Sequence, residues 1–214
     1  MKIVYRYILG LLVLLMLFSA CANLKTHRWY RYTESRIDIP ENFWLADSQK
    51  KILYKINIEA FHQKQSGLLM VKQADESSIR LLMVTEFGLK VFDVEYFKGD
   101  SLSLHYIMKH LDNPYITNAL FDNMKVLYPG ILTNISEEFL YNEKEKEFIS
   151  RLESGKEQWD YFMTEDQKIY KIERLESGRK RALIQFDNQT KEILIKTKHP
   201  SISIRLKKNI NAEE

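Results

Sequence analysis

The run Lys51-Ile52-Leu53-Tyr54-Lys55-Ile56-Asn57-Ile58-Glu59-Ala60-Phe61 alternates. Ile52, Tyr54, Ile56, Ile58 and Ala60 fall on one side of an extended chain, and Lys55, Asn57 and Glu59 on the other. A period of two with one apolar side is a strand with one buried face. The next fifty residues repeat the theme at close spacing. Ser66-Gly67 precedes a strand over 68–73, and Asp75-Glu76-Ser77-Ser78 turns into one over 79–86. Gly88 punctuates before 89–97, and Lys98-Gly99-Asp100 turns into 102–107. Polar turn residues at such intervals predict an antiparallel meander. Two of these strands, at Leu68-Leu69-Met70-Val71 and Leu81-Leu82-Met83-Val84, are apolar on both faces, which predicts cover on both sides.

Working outward, the period then changes. Asn113-Pro114 supplies an N-cap and a proline at the first helical position. Ile116, Leu120, Met124 and Leu127 come after it at helical spacing on one face, and Pro129-Gly130 ends the segment. The charged stretch 135–147 reads as a short second helix. Strands return at 158–163, 169–175, 181–186, 192–198 and 202–206, with Glu176-Ser177-Gly178 and Asp187-Asn188-Gln189 as hairpin connections. Upstream, 30–33 and 36–39 read as an opening strand that stops at Pro40. The order is meander, helical insert, meander. That predicts an α+β fold: one curved antiparallel β-sheet of about ten or more strands, with the helical insert packed on its concave face.

The N-terminus carries a different signal. Lys2 and Arg6 precede an uncharged, Leu-rich run over 8–18, too short to span a bilayer comfortably but suited to a secretory leader. It closes on Leu17-Phe18-Ser19-Ala20-Cys21, and Cys21 is the only cysteine of the chain. The arrangement resembles the lipobox of bacterial lipoproteins, with Phe18 standing where an aliphatic residue is usual. The resemblance implies a signal peptide over 1–20, a lipidated tether over 21–27 and a single domain over 28–214. Cys21 is then the lipidation site and the membrane is the partner it reaches. Two or three acyl chains on that thiol would make a stable anchor where one is marginal. Ala22, rather than an aspartate, comes after the cysteine, which points to the periplasmic face of the outer membrane.

Composition narrows the function. Losing Lys2 and Arg6 with the leader takes the formal charge from +3 to +1, with acids and bases interspersed, which argues against nucleic acid as a partner. Twelve Tyr and eleven Phe beside few Gly and Pro suit a β-rich domain. None of the five histidines (His27, His62, His105, His110 and His199) stands in a metal-binding pair, and His105 and His110 are five apart. No nucleophile elbow or glycine-rich phosphate loop occurs. The acids 137–138 and 143–147 read as a solvated face. We therefore expect no enzyme, no cofactor and no metal site. What remains is apolar surface. Met70, Leu81, Met83, Ile116, Leu120 and Met124 are the candidate walls of an apolar cavity, since thioethers adapt to variable acyl chains. The same residues also fit a closed, dry core.

The lipobox, the meander, the central helix and the second meander together resemble the LolA and LolB lipoprotein-localisation factors. The stretch Glu86-Phe87-Gly88-Leu89-Lys90-Val91-Phe92-Asp93-Val94-Glu95, with His105-Tyr106 and the helix after it, is similar to LolB-like lipoproteins. The resemblance implies a half-barrel sheet capped by helices, with an apolar concave face that takes a lipid or a lipoprotein acyl chain. It also implies a protruding loop with an apolar tip. The corresponding hairpin here reads as Gln73-Ala74-Asp75-Glu76-Ser77-Ser78, which is polar. A structural lipoprotein that binds another envelope protein by a sheet edge or face is the alternative.

Overall fold

In the computed structural model the described residues are 29–31, 43, 51–60, 63–99, 101–131, 135–187 and 189–208. The leader, Cys21 and the tether lie outside them, as do 32–33 and 36–39 of the expected opening strand.

The described strands are β1 (Tyr30–Arg31), β2 (Lys51–Ala60), β3 (Gln63–Asp75), β4 (Ser78–Val84), β5 (Lys90–Phe97) and β6 (Ser101–Ile107) before the helix. After it come β7 (Ser136–Asn142), β8 (Glu147–Ser154), β9 (Glu157–Met163), β10 (Ile169–Glu176), β11 (Arg179–Asp187), β12 (Glu192–Thr197) and β13 (Ile202–Lys208). They form one antiparallel sheet in the order β1-β7-β8-β9-β10-β11-β12-β13-β2-β3-β4-β5-β6. The sheet is open, with β1 at one edge and β6 at the other.

Alternation places one apolar face inward along nearly the whole sheet. Tyr161, Ile172, Ile184, Ile195, Ile204 and Ile58 are successive cross-strand partners from β9 to β2, all buried. Tyr54, Leu69, Met83, Phe92 and Ile107 continue the same face from β2 to β6. Such rows are the unit of sheet stabilisation, each side chain excluding water from the next.

Because β6 ends one side of the sheet and β7 begins on the other, the segment between them must carry the chain across. It does so as α1 (Pro114–Met124), then two single-turn 3₁₀ segments, Lys125–Leu127 and Pro129–Ile131. The predicted start is observed: Asn113 is extended, and its Oδ1 accepts from the Tyr115 N–H at 2.9 Å. Leu120, Phe121, Met124, Val126, Leu127 and Tyr128 are buried in the same cluster as the inner face of the sheet.

The second helix expected over 135–147 is not formed. Those residues are β7 and the turn into β8, paired from Ser136↔Glu153 to Asn142↔Glu147. The Asn142 side chain closes the turn by accepting from the Lys144 and Glu145 N–H groups, and Lys146 takes φ 52°. A Glu/Lys-rich run has helix propensity, but a full ladder of cross-strand hydrogen bonds outweighs it.

The outer face of β4 and β5 carries one buried carboxylate. Asp93 accepts from Arg80 through two hydrogen bonds, Nε to Oδ1 at 2.7 Å and Nη2 to Oδ2 at 2.9 Å, and from Lys90 Nζ at 3.1 Å. The Arg80 hydrogen bond leads in holding the Asp93 carboxyl below its ordinary range; burial opposes and Lys90 assists. A depressed folded-state pKa stabilises the protein fully above the unfolded carboxylate value. That contribution is lost as pH falls through the folded value. Asp93→Asn should therefore lower the urea midpoint at neutral pH and flatten its fall on acidification; an unchanged acid limb would show that this pair contributes nothing.

Candidate functional site

Four of the six expected wall residues come together. Leu81 and Met83 are on the inner face of β4, and Leu120 and Met124 are on α1; all four are buried in one cluster. Ile116, in the first turn of α1, is half-buried and outside that cluster. Met70 is on the other face. It pairs with Leu53 and Leu82, in the row that continues to Asp93 and Tyr106, whereas its neighbours Leu69 and Val71 point inward. Periodicity gave no means of orienting this strand, because both of its faces are apolar. The outer cover expected over it is partial, since Leu53, Met70 and Leu82 are half-buried.

Several inner residues were not singled out from sequence. Phe121 meets Phe92 edge-on, with centroids 5.4 Å apart and planes at 80°. Tyr96 donates from its hydroxyl to the Phe121 carbonyl at 3.0 Å, fastening β5 to α1. Burial, then the nearby Asp122, raises the Tyr96 phenol well above its ordinary pKa. Trp159 and Tyr161 extend the face on β9, and Phe43 stacks on Tyr161 at 5.9 Å.

A charged group sits on the inner face beside the end of α1. Arg174 Nη2 donates to Glu157 Oε1 at 2.7 Å. Glu157 Oε2 is 3.5 Å from Lys125 Nζ and accepts from Trp159 Nε1 at 3.2 Å. Burial pushes the Glu157 carboxyl up, yet Arg174 and Lys125 together hold it below its ordinary value. No sequence spacing announces this group, since its members come from three separated segments.

The expected polar hairpin is polar: Asp75 Oδ1 accepts from both the N–H and the hydroxyl of Ser77. The next hairpin, between β4 and β5, carries exposed apolar residues at its tip. Thr85 and Leu89 close that turn, Gly88 N–H donates to the Thr85 carbonyl at 3.0 Å, and Gly88 takes φ 80°. Phe87 is 91% exposed and Leu89 61%. The pair belongs to the 86–95 stretch, and the signal that could have found it was two large apolar residues flanking a turn glycine.

Two surface grooves, of about 480 and 520 Å³, run along β2 and β3 and are lined by residues such as Lys55, Asn57, Ser66 and Arg205; none of the six expected wall residues lines either. Among the described residues no group of three or more His, Cys, Asp or Glu is placed to hold a metal. His105 Nε2 instead lies 3.1 Å from Glu95 Oε2. No described helix is long and apolar enough to cross a membrane.

No protein-family model and no curated protein matches the chain. Among solved structures it is similar in fold to a LolA superfamily protein from Nitrosomonas europaea, at 11% identity and a TM-score of 0.49, over 81% of this chain and 86% of that one. It is also similar to a DUF1329 family protein from Desulfovibrio piger, at 8% identity and a TM-score of 0.44, over 78% and 88%.

Proposed function

We propose that this chain is a non-enzymatic envelope protein, lipid-anchored at Cys21 on the periplasmic face of the outer membrane. It takes an acyl chain between α1 and a concave inner face of the sheet. The observation that carries the reading is the extent of that face. It is apolar from β9 through β13 and on from β2 to β6, while one eleven-residue helix is the only α-helix among the described residues laid against it. An acyl chain entering beside Leu120 and Met124 would replace side-chain contacts with methylene contacts of the same kind. A twelve-carbon chain buried at ~0.8 kcal/mol per CH₂ offers roughly 10 kcal/mol gross. Ordering of the chain and displacement of helix contacts reduce that figure.

Trp159, buried on the same face, supplies the test. In a chain with Trp29→Phe and Trp44→Phe, cis-parinaric acid should quench Trp159 emission saturably by energy transfer, and the binding should show a negative heat-capacity change. Absence of saturable transfer, with no lipid in organic extracts of the purified protein, would end this reading.

The Phe87–Leu89 tip suits the bilayer side of such a carrier, because aromatic and aliphatic side chains partition into the interface. In a chain beginning at Asn23, without the leader and the acylated cysteine, Phe87→Ser/Leu89→Ser should release the protein from sedimenting lipid vesicles while leaving its melting point unchanged. Equal sedimentation of both proteins would remove the tip from the function.

One feature favours a protein partner instead. The edge strand β6 exposes Leu102, Leu104 and Tyr106 beside an unpaired backbone, which is the geometry for accepting a further strand. Trp159 quenching separates the two readings, because a partner on that edge would not bring a polyene chain to the inner face.

A further inference from the structure

Arg174 is placed where an apolar interior would not ordinarily hold a guanidinium. Its cross-strand partners are Trp159 on one side and Ala182 on the other, both buried members of the inner face. Its side chain is 7% exposed. On its side-on edge Nη2 donates to Glu157 and lies 4.0 Å from Asp122 Oδ2 at the end of α1. The donor beside it is not used. Arg174 Nε is buried with no hydrogen-bond partner, and so is the hydroxyl of Tyr161, one diagonal step away on β9. Buried donors without acceptors are rare because each keeps the cost of leaving water and gains nothing in return.

The charges around Arg174 say what kind of acceptor fits. Arg174 and Lys125 face Glu157 and Asp122, two cations against two carboxylates. A third carboxylate would give the cluster a net negative charge in a poorly screened place, against the repulsion of both acids. A neutral carbonyl oxygen brings two lone pairs and no charge, and the unused N–H is a charge-assisted donor to it. Resting on the proposed acyl-binding function, we infer that Arg174 Nε holds the carbonyl oxygen of a neutral acyl ester or amide whose chain lies along the inner face. The ligand class is then an acylated molecule, O-acyl or N-acyl, in preference to a free fatty acid.

The experiment is competition against cis-parinaric acid on the full-length protein carrying Trp29→Phe and Trp44→Phe, read by Trp159 energy transfer. The competitors are methyl laurate, N-methyl lauramide, lauric acid and tridecane. A hydrogen bond to a buried charged donor should let the ester, the amide or both displace the probe at about tenfold lower concentration than tridecane. Lauric acid should displace it no better than they do. Whichever of the ester and the amide is stronger names the source. Arg174→Met should abolish the advantage over tridecane while tridecane itself still competes. The inference is overturned if ester, amide and alkane compete equally on the protein that keeps Arg174, a comparison that needs no Arg174 variant to fold. It is also overturned if lauric acid is the strongest competitor, or if the advantage survives in Arg174→Met. Failure of the probe itself to bind would overturn the acyl-binding function and this inference with it, a result distinct from equal competition.

Discussion

Leu120→Asp should leave the protein largely unfolded under conditions in which the wild type is stable. Leu120 is 2% exposed and belongs to the cluster that joins α1 to the inner face of the sheet. A carboxylate there has two outcomes, and both are costly. It stays ionised in apolar surroundings, or it takes up a proton and remains a polar group without a partner. The loss should be several kcal/mol, against a total of about 5–15 kcal/mol for a domain. Because α1 is the crossing between β6 and β7, detaching it also frees the two halves of the sheet from their common cover. Urea unfolding monitored by circular dichroism gives the measurement. Tyr115→Asp is the control: that residue is exposed in the first turn of the same helix, where an added acid is favourable to the helix dipole. If Leu120→Asp unfolds at the same urea concentration as the control, α1 does not pack on the sheet through Leu120.

Gly67→Ala should cost about 3 kcal/mol or more, at the upper end for overpacking because the neighbour is backbone. Gly67 lies on β3 opposite Ile56, on the inward side between Gln65 and Leu69. A Cβ built there would stand 2.0 Å from the Val84 carbonyl oxygen, 3.0 Å from its carbon and 3.1 Å from Thr85 Cα. A side chain could rotate away from such a clash, but a strand end held in the sheet cannot. Either β3 and β4 separate locally or the end of β4 shifts, and with it the hairpin that carries Phe87 and Leu89. The melting point should fall by several degrees, and vesicle binding by the tip should weaken even where the protein remains folded. Ser66→Ala, one residue away and exposed, should change neither. A Gly67→Ala protein with wild-type melting would show that β3 and β4 do not approach in this way.

Some of this was legible in the residues alone because its causes are local. The alternation of 51–60 needs only the pleat of a strand, and β2 is observed over those residues. The start of α1 needs only an asparagine that accepts an N–H and a proline with a preset φ, and both act as read. The turn at Ser177-Gly178 comes from two residues that adopt positive φ, which they do at 49° and 73°. Within β2–β6 and within β7–β13 the order comes from short hairpin connections, whereas the pairings of β13 with β2 and of β1 with β7 join segments distant in sequence.

The rest was settled by contacts between residues distant in sequence. The run 135–147 could satisfy its backbone as a helix or as a strand, and only the partner β8 chose. Met70 and Met83 sit in equally apolar strands. Met83 faces inward and Met70 outward because register, which a run apolar on both faces does not encode, is set by the pairing of Leu69 with Met83. The apolar tip fell at 87–89 because β4 ends at Val84 and the next turn closes through Thr85. The ionic group joins Lys125, Glu157 and Arg174, which meet only when β9 and β10 pair beneath the end of α1. Sequence periodicity records which way a residue faces relative to its neighbours; which face becomes the interior, and which charges are buried in it, is decided by the strands pairing into one sheet and by α1 packing on one of its faces.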